Sequence, residues 1–155
     1  MNDGHEYLTK EKYKELKVEL ENLKTIKRKE IAEALEYAKS LGDLSENQEY
    51  QEARDNQAIL EDRVNRLEAI LKSAEIVSSQ NSSVVSVGSV ITVEKTGDKS
   101  KKLYTMVGSE EADATNGKIS INSPLGTAAL GKAKGDSFSF RTPSGEMNYK
   151  IIDIK

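Results

Sequence analysis

The stretch KSLGDLSENQEYQEAR, residues 39–54, decides how the first half of this chain folds. Its Gly42 is the single helix breaker between Gly4 and Gly88, and no proline appears before Pro124. One glycine therefore interrupts what would otherwise be one very long helix. A helix that stops once at mid-length and restarts folds back as a hairpin, and the stop becomes its tip. Two carboxylates, Asp43 and Glu46, lie beside the break, so whatever the hairpin enters meets them early.

Outward from the break, both sides carry coiled-coil spacing. Tyr50, Ala53, Gln57, Leu60, Val64, Leu67, Leu71 and Ala74 recur every three or four residues, an a/d seam with one polar member, Gln57. On the other side Tyr13, Leu16, Leu20 and Leu23 are followed by Ile31, Leu35 and Ala38, with a register slip around residues 26–28 of the kind a stutter produces. Thr9 is placed to cap the first arm. The spacing predicts arms over residues 9–40 and 45–76, each roughly 48 Å long at ~1.5 Å per residue. Matched arms joined by a short break favour an antiparallel hairpin within one chain over an intermolecular coiled coil. The seam leucines read as core, and the abundant Lys and Glu as a solvated face whose i,i+4 pairs are each worth tenths of a kcal/mol.

The tip, residues 42–47, has a structural and a functional reading. Structurally, Gly42 ends the first arm as a C′ glycine. Asp43 then caps the second arm with Glu46 at N3, or Ser45 caps it with Gln48 at N3 in the capping-box form. Functionally, two carboxylates three residues apart can approach one cation. Mg²⁺ needs about six oxygens in octahedral array, so the pair would bind it weakly alone and could complete a site whose other ligands belong to a partner. A second metal shared in this way can position and activate a water in phosphodiester chemistry. Lys39 just before the tip and Arg54 beyond it could face a nucleic-acid phosphate, or simply sit on the helix surface.

Composition divides the chain in two. Residues 1–76 carry 13 Lys and Arg against 18 Asp and Glu, whereas residues 77–155 carry 10 against 8, together with eight of the ten glycines and both prolines. The net charge of −3 argues against duplex DNA binding driven by phosphate neutralisation. No cysteine is present, which excludes disulfides and thiolate metal sites. No apolar run is long enough for a signal peptide or a bilayer span, so a cytoplasmic protein without membrane contact is expected.

The Ser-rich residues 77–83 read as a linker between a hairpin over 1–76 and a second domain over 84–155. There the segments 84–94, 101–108, 118–122, 136–142 and 146–155 have strand character. Ser123, Pro124 and Gly131 mark a short helix as N-cap, N1 and terminator. Turns at 95–98 and 143–146 join strands. The fold class is α+β. This half shows no catalytic set: the one histidine, His5, is near the N-terminus, the serines have no histidine partner, and the glycines form no phosphate loop. It reads as a binding or docking module.

Two blocks carry a resemblance. GDLSENQEYQEAR at the tip, and VGSEEADATNGKISINSPLGTAALGKAKGDSFSFRTPSGE in the second half, are similar to the two signatures of the Gre family of bacterial transcription elongation (transcript-cleavage) factors. The likeness covers almost the whole chain, and the acidic helical half is closer to the GreA branch than to GreB. The family implies a C-terminal domain of FKBP-like fold that docks at the rim of RNA polymerase's secondary channel. The hairpin passes down the channel and brings its tip to the active centre, where the polymerase cleaves the 3′ end of backtracked RNA. The factor is not itself an enzyme. It lends carboxylates to a Mg²⁺ shared with the polymerase and acts as a monomer. The tip acids fall on Asp43 and Glu46, the RNA-facing basic residues on Lys39 and Arg54, and the docking loops on Asp113, Ser123 and Pro124. Ser45 stands where family members often carry a basic residue. A channel-binding regulator that does not promote cleavage, or an FKBP-like adaptor or prolyl isomerase using Tyr104, Phe138 and Phe140, are the alternatives. The intact Asp43 and Glu46 argue against the first, and the scarcity of aromatic residues against the second.

Overall fold

The computed structural model describes residues 5–43, 45–77 and 83–155. Apart from Val77 and Ser83, the linker expected at 77–83 lies outside the described residues, as does Leu44 at the tip. The chain forms two compact units, one of residues 13–73 and one built from the residues on either side of it.

The first unit is the hairpin. Helix α1 (Lys10–Asn22) runs through a π-helical segment, Leu23–Lys27, into α2 (Arg28–Ser40), and α3 (Gln48–Ser73) returns. The register slip expected near residues 26–28 is this π segment. A π turn adds one residue to the helix and moves the apolar face by that amount. Its local cause is visible at Thr25, whose Oγ1 donates to the carbonyl of Glu21 at 2.7 Å, offering the i−4 carbonyl a side-chain partner. The Arg28 N–H accordingly donates five residues back, to Leu23.

Leu16 and Ala38 in the first arm and Ala53, Leu60, Val64, Leu67 and Ile70 in the second are buried. The seam departs from the sequence expectation at two places: Gln57 is exposed, and near the end of α3 Ile70 is buried while Leu71 is half-buried. Charged pairs tie the arms along their flanks. Arg28 holds Glu61 with two bonds, Nε to Oε1 at 2.9 Å and Nη2 to Oε2 at 2.8 Å. Arg63 holds Glu19 in the same forked way at 2.8 and 3.0 Å, and Lys24 pairs with Glu68. The fork geometry fixes register more than it adds stability, since exposed pairs contribute about 0–1 kcal/mol each.

The second arm is shorter than the expected 45–76 at both ends. It begins at Gln48 because Asn47 is its cap. It ends at Ser73 because Ala74–Ile76 leave the helix as strand β2, pairing in parallel with β1 (Glu6–Leu8) in the register Glu6 to Ala74 and Leu8 to Ile76. Leu8 is fully buried there. Burial of that leucine and a backbone ladder replace the last helical turn. Thr9 caps α1 as expected, its Oγ1 accepting from the Lys12 N–H at 3.2 Å. An unforeseen partner holds it: the Glu111 carboxylate accepts the Thr9 N–H at 3.0 Å and its hydroxyl at 2.9 Å.

The second unit contains a five-stranded mixed sheet in the order β5–β4–β3–β7–β6, formed by β3 (Val90–Lys95), β4 (Lys101–Val107), β5 (Lys118–Ser120), β6 (Ser137–Thr142) and β7 (Gly145–Ile154). Only β4 and β5 pair in parallel; the other neighbours are antiparallel. Alternating inward residues, Ile91 and Val93 on β3 and Tyr149 and Ile151 on β7, join Met106, Phe138, Val85 and Ala129 in one core. The short helix α4 (Pro124–Ala129) forms where its signature predicted it. It lies so close to the end of β5 that a Cβ on Gly126 would come within 2.0 Å of the Ser120 carbonyl oxygen, so only glycine fits. The first strand of the domain begins later than expected, at Val90 rather than at residue 84. Residues before it are taken up by a bridge from Val84 to Ala133 and by a turn in which Ser86 N–H donates to Ser89 Oγ at 3.0 Å.

Candidate functional site

At the tip, α2 ends on Leu41, whose N–H donates back to Ala38 at 3.2 Å, and Gly42 follows with φ +111°. A side chain would strain that backbone, which explains glycine as the stop. Asp43 does not cap the returning helix, and neither does Ser45. Asp43 Oδ1 instead accepts the Ser45 N–H at 3.1 Å and the Ser45 hydroxyl at 2.9 Å, a local turn that fixes the carboxylate. The cap is Asn47. Its Oδ1 accepts the Tyr50 N–H at 3.1 Å, while its Nδ2 donates across the hairpin to the Ala38 carbonyl at 2.6 Å. One side chain thus starts α3 and ties it to the end of α2. Both capping assignments read from the sequence yield to this, because the Asn47 amide accepts from α3 and donates to the end of α2 at once, while the Asp43 carboxylate and the Ser45 hydroxyl bond each other.

The consequence for Asp43 and Glu46 is that neither carries the helix start. Both are exposed at the tip. Among the described residues no three carboxylate or imidazole groups gather around one point. The tip therefore presents a pair of hard oxygen ligands, which fits Mg²⁺ as part of a shell that other oxygens complete. Lys39 is exposed in the last turn of α2. Arg54 lies nearly two turns inside α3, with its guanidinium 5.9 Å from the centre of the Tyr50 ring. That cation–π contact orients a cation near the tip. It ranks the two basic positions differently: Arg54 rests on an aromatic face, and Lys39 is an exposed chain.

The three residues assigned to docking gather in the second unit. Asp113 opens a short 3₁₀ turn, Ala114–Asn116, its carboxylate accepting from Thr115 N at 3.2 Å and from Asn116 Nδ2 at 2.6 Å. Ser123 caps α4 by accepting from Gly126 N at 3.0 Å and donates to the Ser120 carbonyl at 2.6 Å. Ser123 and Pro124 line an apolar cavity of about 390 Å³ with Ile119, Leu125, Phe140 and Pro143. Asp113 does not line it, but its neighbours Ala112 and Ala114 do. The cavity lies between the two edge strands of the sheet, β5 and β6. Of the aromatic residues considered for a prolyl pocket, Phe138 is in the core. Phe138, Phe140 and Tyr149 stack on one another with centroids 5.8–6.3 Å apart. Burial raises the Tyr104 phenol above its usual range.

Sequence reasoning missed Asn47 as the cap, although Asn is among the best capping residues and sat in the expected stretch. It also missed Glu111, for which no local signal exists, since its partner Thr9 is a hundred residues away in the chain.

Comparison with known proteins matches two family regions in order along the chain. The model for the N-terminal region of transcription elongation factors matches residues 6–76, and the model for the C-terminal region of GreA/GreB matches residues 80–155. Transcription elongation factor GreA of Bacillus cereus is 43% identical over 150 residues, covering 96% of this chain and 95% of that protein. Its namesake in Geobacillus kaustophilus is 44% identical over 156 residues, with 99% of each covered. Among solved structures, GreA factor homolog 1 of Thermus thermophilus is 30% identical and covers 97% of this chain and 99% of its own, with a TM-score of 0.44. With both family regions present in order and relatives aligned nearly end to end, the chain belongs to the GreA/GreB family of transcription elongation factors.

Proposed function

We propose that this factor binds RNA polymerase in its secondary channel and stimulates the polymerase's own cleavage of backtracked RNA, releasing arrested complexes in the bacterial cytoplasm. The observation that carries the reading is the tip, where Asn47 takes over the helix cap and leaves Asp43 and Glu46 exposed together. In this reading the two carboxylates would hold a Mg²⁺ ion jointly with oxygens of the polymerase. Such an ion, when bound, positions and activates the water that attacks the phosphodiester. Ser45 holds one oxygen of Asp43, Oδ1, with its N–H and its hydroxyl. Lys39 and Arg54 draw the RNA phosphates toward the tip. The second unit docks on the polymerase through the surface around Asp113, Ser123 and Pro124. The division of labour follows the boundaries 1–76, 77–83 and 84–155: the hairpin acts, the last part docks, and the tether between them raises the effective concentration of the tip.

The test is fragment release from a backtracked elongation complex. Asp43→Asn and Glu46→Gln keep size and remove the anionic charge. Each is expected to nearly abolish stimulated cleavage at saturating factor, while competition with wild type shows that polymerase binding persists. Cleavage by Asp43→Asn at the wild-type rate would overturn the metal role. A chain that binds and inhibits but never stimulates would instead be a channel-binding regulator.

A further inference from the structure

The chain has eight aromatic residues, all of them described, and seven of their side chains are buried or half-buried. The exception is Tyr37, which is 61% exposed. It lies in the last turn and a half of α2, about five residues before Gly42, or roughly 7.5 Å along the helix axis at ~1.5 Å per residue. Four residues on, on the same face, Leu41 is 52% exposed. Ala38 faces the second arm and is buried. Tyr37 and Lys39 are its two neighbours in sequence, about 100° to either side of it around the helix, so they occupy opposite flanks of the arm. The tip thus has a ring and an aliphatic side chain on one flank and a cation on the other. Elsewhere along this strongly charged helical half the tyrosines, Tyr13 and Tyr50, are half-buried. Beside the acidic tip, Tyr37 is an exposed aromatic face that no described residue of the unit buries.

We infer that Tyr37, backed by Leu41, is a stacking platform for an unpaired nucleobase of the extruded RNA 3′ end. The inference rests on the proposed delivery of the tip to the polymerase active centre. If Asp43 and Glu46 sit at the scissile phosphate, the nucleotides on its 3′ side have left the active centre and run back along the flank of the hairpin. Their bases are unpaired there. Each presents a π-face, and an exposed phenol ring one and a half turns behind the tip is placed to receive one. Base–aromatic stacking needs no sequence readout, which suits RNA of arbitrary sequence. Lys39 on the other flank is free to meet the backbone phosphates that accompany such a base. The ring contributes no proton transfer or metal ligand. Tyr37 is therefore a positioning residue, holding the RNA while the acids at the tip serve the chemistry.

The experiment compares wild type with Tyr37→Ala, Tyr37→Phe and Asp43→Asn in fragment release from backtracked elongation complexes at subsaturating factor. One set of complexes carries ordinary extruded nucleotides and a second set carries abasic ones. Competition for a polymerase complex with no extruded RNA measures docking separately. The platform predicts about a tenfold loss for Tyr37→Ala on ordinary RNA, the size of one base–aromatic stack. Tyr37→Phe should act like wild type, and Tyr37→Ala should match wild type on abasic RNA. Docking should be unchanged in all. Tyr37→Ala at wild-type activity on ordinary RNA, with Asp43→Asn inactive, would overturn the platform and leave the tip reading standing. An equal loss on ordinary and abasic RNA, or a loss of docking without extruded RNA, would overturn it in favour of a contact with the polymerase wall. Wild-type cleavage by Asp43→Asn would remove the tip reading on which the platform rests.

Discussion

Asn47 is the residue whose replacement most directly tests how the tip is built. Its Oδ1 caps α3 at Tyr50 and its Nδ2 reaches the Ala38 carbonyl at 2.6 Å. Asn47→Ala removes both. Loss of a good N-cap costs about 1 kcal/mol. Loss of the cross-arm bond costs about another 1 kcal/mol, moderated because Ala38 O also accepts from Leu41 N. The sum is ~2 kcal/mol. If the chain unfolds as one cooperative unit, that lowers Tm by about 4–8 °C. Asn47→Asp separates the two contributions. A carboxylate caps as well as an amide, yet it cannot donate, and it would bring an anionic oxygen against the Ala38 carbonyl. Its cost should therefore be ~1 kcal/mol or more despite an intact cap. Urea unfolding followed by helical circular dichroism measures both variants against Asp43→Asn, which should stay within about 0.5 kcal/mol of wild type because Asp43 makes only an exposed turn with Ser45. If Asn47→Asp equals wild type, the cross-arm bond contributes nothing. If Asp43→Asn destabilises as much as Asn47→Ala, Asp43 is the cap after all.

Three further outcomes follow from the same geometry. Replacing Lys39 and Arg54 together with Ala should weaken crosslinking to the RNA 3′ end and reduce cleavage while changing stability by no more than about 1 kcal/mol; unchanged cleavage at subsaturating factor would return both to the solvated surface. The hydrogen bond from Arg28 holds the Glu61 carboxyl below the usual carboxylate range, so the pair's contribution is fully present above the ordinary glutamate value of about 4.3 and fades as pH falls through the lowered folded value. Thermal melts at neutral and acidic pH should then show a smaller acid loss for Glu61→Gln than for wild type, and identical losses would argue that the pair is not formed. Gly126→Ala should destabilise the second unit by about 2 kcal/mol or more, as backbone strain at a packed site does, since its Cβ would meet the Ser120 carbonyl at 2.0 Å; a change under about 0.5 kcal/mol in calorimetry would mean that the loop relaxes freely.

Periodicity made the hairpin legible because it is a local property. Leu60, Val64 and Leu67 declare a helical face by spacing alone, and a single glycine declares its end. The slip at residues 26–28 was equally readable as a break in spacing, although spacing could not say that a π turn at Leu23–Lys27 absorbs it. Element ends were less legible wherever the deciding partner is distant in sequence. Ala74–Ile76 continue the helical pattern, yet they become a strand because Glu6–Leu8 lie alongside. Val84 to Ser89 alternate like a strand, yet they are held by a bridge from Val84 to Ala133 and by backbone bonds linking Gly88 and Ser89 to Met106 of β4, not by the continuous ladder that begins at Val90. The same limit applied at the tip. Sequence rules ranked Asp43 and Ser45 as caps from the residues that follow each, but the advantage of Asn47 includes a bond to Ala38 across the hairpin, which no pattern within α3 reveals.

That reassignment bears on the chemistry as well as on the fold. A carboxylate used as an N-cap has its oxygen committed to backbone N–H groups, and its negative charge is partly spent against the helix terminus. Moving a neutral amide into the cap position leaves the helix start satisfied without drawing on either acid. Asp43 keeps a local anchor in Ser45, which limits its motion without burying it, whereas Glu46 is exposed and has no such side-chain anchor among the described residues. In the proposed reading, one oriented and one less restrained carboxylate would suit a pair that binds Mg²⁺ weakly alone and completes its shell only against a partner's ligands. A rigid, complete cation site at the tip would trap metal before the hairpin reached its target. An incomplete pair avoids this, because two carboxylates cannot fill an octahedral shell until the partner supplies the remaining oxygens.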